Sequence, residues 1–80
     1  MSLRILVRPQ PIADWITERS GTPARKRGSD TELTVLFGDE RGDYDRISMD
    51  ELMQTMKFHH LVVLVEQQPG SMFHRFIQHA

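Results

Sequence analysis

The chain has 80 residues, 39% of them hydrophobic and 26% charged, with a formal net charge of −1 and no cysteine. These values predict a single folded domain over residues 1–80 and exclude disulfides, cysteine-based metal sites and thiol redox chemistry. Near-neutral charge gives no general pull towards nucleic acid. The longest apolar run, Leu61 to Val65, is far short of the roughly 20 residues a membrane helix needs. The first residues lack a signal-peptide core, so a cytoplasmic protein without membrane contact is expected.

Leu3, Ile5 and Val7 alternate with Arg4, Leu6 and Arg8, the period of a half-buried strand. Pro9 and Pro11 end it, and Pro11 suits the first turn of a helix over about 11–20. Ile12, Trp15 and Ile16 would share its apolar face, and Gly21 would close it. Residues 21–30 hold two glycines, a proline and the basic run Arg25-Lys26-Arg27, a pattern that predicts a loop. Leu33, Val35 and Phe37 alternate again. With the Gly38–Asp43 turn and Tyr44–Ile47 they predict a hairpin over 31–47.

Ser48 followed by Glu51 is a capping-box pattern, so a second helix is expected at 49–57. Its buried stripe would be Met49, Leu52, Met53 and Met56. The run centred on Leu61–Val65, apolar at every position, predicts a central strand. Pro69-Gly70 marks a turn. Met72, Phe73, Phe76 and Ile77 then recur at helical spacing, which predicts a short terminal helix capped by Ser71. No internal repeat is visible in the sequence.

The predicted fold is therefore α+β, an open-faced sandwich of order β-α-β-β-α-β-α. One mostly antiparallel four-stranded sheet would carry the helices on one face. This order resembles that of the histidine-containing phosphocarrier proteins of bacterial sugar transport, whose histidine opens the first helix. Here that place reads Arg8-Pro9-Gln10-Pro11-Ile12, and no histidine precedes His59, so phosphocarrier activity is not implied.

No catalytic constellation emerges. Ser48 and Ser71 are explained as caps, no phosphate-binding glycine loop is present, and the four histidines lack ligand spacing. No enzyme activity, cofactor or metal is expected. Two surfaces remain. If Leu3, Ile5 and Val7 face the helices, the other sheet face shows Leu6, Leu36, Val62 and Leu64, an apolar contact patch. Beside it, Asp39, Glu40, Asp43 and Asp45 would form an acidic hairpin tip suited to a basic partner. A small adaptor, regulator or inhibitor is the expected function, with another protein or a second copy as partner. The alternative is nucleic-acid binding. Residues 1–28 carry a net of +4 and residues 29–80 a net of −5, so Arg4, Arg8, Arg25, Lys26 and Arg27 would meet phosphates.

Overall fold

In a computed structural model the chain is described for residues 2–38 and 42–79. Strand β1 spans Leu3–Leu6, helix α1 Pro9–Glu18, strand β2 Gly21–Lys26 and strand β3 Leu33–Phe37. Strand β4 spans Tyr44–Arg46, helix α2 Met49–Phe58, strand β5 Leu61–Glu66 and strand β6 His74–Gln78. The α+β class holds. In place of one four-stranded sheet there are two three-stranded antiparallel sheets, of order β1-β5-β6 and β3-β2-β4. Strands β3 and β6 lie side by side where the two sheets meet.

Local chemistry accounts for most of the elements. Pro9 and Pro11 sit in the first turn of α1, where their missing N–H groups cost nothing. Ser48 caps α2 by accepting the Glu51 N–H at 3.0 Å, as the sequence predicts. The Glu51 carboxylate does not return to Ser48. It reaches across to Arg25 in β2, 2.6 Å away. Both helices end through a residue in the left-handed region, Ser20 at φ 55 and His60 at φ 56. Gly21 is thus not the residue that closes α1. It opens β2, and only glycine fits there: a Cβ would lie 2.5 Å from Val35 Cγ1 and 3.1 Å from Phe37.

The segment 21–30, expected as a loop, contains β2, the middle strand of its sheet. Pro23 is tolerated inside it. Its carbonyl accepts the Ile47 N–H at 3.0 Å, so its nitrogen faces the same side, beyond the last residue of β4. The 31–47 hairpin does not form, because β2 lies between β3 and β4. The terminal helix is instead strand β6. The central run β5 has a free edge opposite β1, and pairing with residues 74–78 satisfies its backbone groups.

The structure also contains a repeat that the sequence conceals. The order β-α-β-β occurs twice, offset by 40 residues: Pro9 corresponds to Met49, Ser20 to His60 and Gly21 to Leu61. The halves exchange strands. The first strand of one half, β1, pairs with β5 of the other, and β4 pairs with β2. One hydrophobic cluster draws on both halves, with Leu6, Ile12, Trp15, Ile16 and Val35 packed against Leu52, Met56, Val63 and Val65. The smallest dimension, 18 Å, has room for one sheet layer and one helix layer. Among the described residues, one sheet face therefore stays without a helix.

Candidate functional site

The face without a helix follows from register. On β5, Val63 and Val65 enter the core, so Val62, Leu64 and Glu66 point outward. On β6, Phe76 packs on the core, so Arg75 and Ile77 point outward, opposite Leu64 and Val62. On β1 the expected faces are exchanged. Leu6 lies opposite Val63 and is buried in the core at 5% exposure, which removes it from the contact patch. Leu3 and Ile5 point outward instead, 50% and 56% exposed, with Ile5 opposite Leu64. A one-residue change of register flips every side chain. Here β1 lies at the edge of its sheet, and Leu6 joins the core with Ile12 and Trp15 of α1.

The outer face of this sheet carries five aliphatics, Leu3, Ile5, Val62, Leu64 and Ile77, together with Glu66 and exposed Arg75. Val62 is covered by its neighbours, and Leu64 and Ile77 are half-buried. On the other sheet Thr22, Thr34 and Leu36 lie on the face away from Val35, with half-buried Leu36 opposite Thr22, and Ala24 between them is fully buried. The apolar surface belongs to the β1-β5-β6 sheet, and Leu36 lies outside that sheet.

The charged candidates are mostly paired. Arg25 bonds Glu51 and lies 3.3 Å from the Thr55 hydroxyl. Lys26 lies 3.5 Å from Glu32, and Arg27 lies 3.0 Å from Asp45. The three residues of the basic run therefore each meet a carboxylate within the chain, and Asp45 of the acidic tip is one of those partners. Arg4 and Arg8 are exposed, and Arg4 shares a groove with Asp14 and Glu18. Asp43 is exposed, while Asp39 and Glu40 lie outside the described residues.

The histidines serve separate places. His59 stands edge-on to Phe58, and His60 packs against His79. His74 joins the two sheets. Its Nε2 accepts the Val35 N–H at 3.0 Å and lies 3.2 Å from the Thr34 hydroxyl. The proton therefore belongs on Nδ1, which donates to the Met72 carbonyl at 3.0 Å. The imidazole acts as the acceptor that a strand would offer to the edge of β3. Among the described residues no three His, Asp or Glu converge to hold a metal, and no helix is long and apolar enough to cross a membrane.

Two features escaped the sequence. One is a clamp at the end of β5. Trp15 Nε1–H donates to the Glu66 carbonyl at 3.0 Å. Arg19 stacks over the Trp15 ring and donates to the carbonyls of Glu66, Gln67, Gln68 and Ser71. Within the same turn the Glu66 carboxylate accepts N–H groups from Ser2 (2.8 Å) and Gln68 (3.2 Å). The bond from Ser2 is the chief reason its pKa lies below the ordinary 4.5, with burial working against it. A carboxyl lowered on folding stabilises the fold above its unfolded value. That contribution disappears as pH falls through the folded value. Glu66→Gln is therefore expected to flatten the decline of melting temperature with pH below about 4.5. An unchanged acid limb would assign that decline to other carboxylates.

The other feature is a groove of about 560 Å³ over Ile12, Met53, Met56 and Leu61, rimmed by Lys57 and His60. At the equivalent place in the other half, Ile47 and Met49 pack on the core. Val7 and Pro9, their counterparts here, are exposed and leave the groove open. No protein-family model, curated protein or solved structure matches this chain.

Proposed function

We propose that this protein is a small non-enzymatic protein-interaction module that binds through the outer face of the β1-β5-β6 sheet. The carrying observation is the solvent exposure of Leu3 and Ile5 beside half-buried Leu64 and Ile77, on a sheet face with no helix over it. Exposed aliphatics that adjoin one another on a folded domain mark contact surfaces rather than wet ones. The charged loops support the reading less, because Arg25, Lys26, Arg27 and Asp45 satisfy one another or nearby groups. The same pairing weakens the nucleic-acid alternative, which needs those cations available for phosphates.

A photocrosslinker tests the face directly. Benzoylphenylalanine at Ile77 should give a protein adduct in cells of the native host. The same group at Thr17, exposed on α1, should give none. Equal labelling at the two positions, or none at Ile77, would remove the proposal.

A further inference from the structure

Strand β1 is an open sheet edge whose sequence is complementary to itself. Its inner side is fixed by the Gln67 N–H, which donates to the Ser2 carbonyl at 2.8 Å. In an antiparallel ladder the residues that bond the neighbouring strand alternate. Ser2, Arg4 and Leu6 therefore bond β5, and the backbone N–H and C=O of Leu3 and Ile5 point away from the sheet. Among the described residues no strand pairs with them. Folded proteins protect such edges with short strands, charge, proline or bulges. The equivalent edge in the other half, β4, is protected in this way. It has three residues, Tyr44-Asp45-Arg46, and Asp45 is ion-paired with Arg27. The β1 edge is one residue longer, and the residues whose backbone groups face away from the sheet, Leu3 and Ile5, are aliphatic and exposed, as is Val7 next in the chain.

We infer that β1 pairs antiparallel with β1 of a second copy of this chain, about a two-fold axis at Ile5. The inference goes beyond the binding-module reading: the second copy meets the edge of the sheet, and the outer face stays available to another partner. The register follows from the free groups. Ile5 exchanges both backbone bonds with Ile5 of the other copy, and Leu3 does so with its Val7. Aliphatic side chains then face aliphatic side chains on the outer surface, where cross-strand pairs of this kind stabilise a sheet. On the opposite surface Arg4 meets Leu6 rather than another Arg4, so no like charges oppose each other. The net charge of −1 adds little repulsion between copies. The paired strands join two β1-β5-β6 sheets into one, and the aliphatic outer faces become a single continuous surface.

Sedimentation velocity on the whole chain should give twice the monomer mass, with dissociation on dilution. Ile5→Pro removes the outward N–H while leaving the bonds to β5, and should return the protein to a monomer with an unchanged circular dichroism spectrum. Because the chain has no cysteine, Ile5→Cys treated with a short bis-maleimide should convert to one cross-linked dimer, since facing positions lie about 5.5 Å apart. Arg46→Cys on the β4 edge should stay monomeric. If the Pro variant fails to fold, the two cysteine variants decide. A wild-type protein that stays monomeric up to millimolar concentration, or equal cross-linking at positions 5 and 46, overturns the pairing. The adduct at Ile77 does not involve the β1 edge, so it reports on the binding-module reading separately.

Discussion

Trp15→Ala is expected to cost about 3–5 kcal/mol of stability, the range for emptying a buried large aromatic site. Whole domains hold only about 5–15 kcal/mol, so this variant should lose a large share of its stability and melt at a markedly lower temperature. The indole fills the core against Phe37 and His74, edge-on at 6.3 Å to Phe37, and its N–H serves the Glu66 carbonyl. Trp15→Phe separates the two roles. It keeps most of the apolar volume and loses the hydrogen bond, so its cost should be about 1–2 kcal/mol. Urea denaturation followed by far-ultraviolet circular dichroism measures both variants. Equal costs would mean that the indole N–H, rather than its volume, carries the effect.

Arg19→Met should cost about 2–4 kcal/mol, although arginine on a helix end is usually replaceable. The side chain is 7% exposed, and the carboxylate it meets, Glu18, is 3.7 Å away and exposed, so the ion pair contributes little. Its work is done at carbonyls. The shortest bond, 2.6 Å, runs from Nε–H to the Ser71 carbonyl, and the others spread over Glu66, Gln67 and Gln68. Methionine keeps the contact with the Trp15 ring and leaves those acceptors to water or to nothing. Arg19→Lys should recover only a small part, because an ammonium cannot match the planar fork. Hydrogen exchange should show the loss first in the turn between β5 and β6. A uniform loss of protection across both sheets would argue for a general core role instead.

Elements that local chemistry determines were readable from the sequence. The Ser48 cap sets the start of α2, alternation identifies β3, and the unbroken apolar run identifies β5 as a central strand. Elements that depend on distant partners were not readable. Residues 21–26 carry a glycine, a proline and two cations, and they form a strand only because β3 and β4 flank them. Phe73, Phe76 and Ile77 satisfy helical spacing, but the unpaired edge of β5 draws residues 74–78 into a ladder, and tertiary pairing overrides propensity there. The site followed the same division. Val62 and Leu64 face outward as expected. Leu6 does not: it lies opposite Val63 in the core, and the three apolar residues at 3, 5 and 7 pointed to the wrong face. The repeat was invisible because, at an offset of 40, no position in the first half carries the same residue in the second.

The exchange of first strands between the halves has a consequence for how the molecule comes apart. Leu3 is matched with Glu66, while Arg25 is matched with Asp45, so each half closes its sheet with chain from the other. Neither half has a three-stranded sheet of its own to fall back on. Disassembly must unzip both ladders together, and assembly must wait for a closure spanning most of the chain, which slows it. Covalent continuity between the halves mainly raises the local concentration of each for the other. If the backbone were cut between them, the two pieces would remain a heterodimer whose survival depends on dilution rather than on temperature alone.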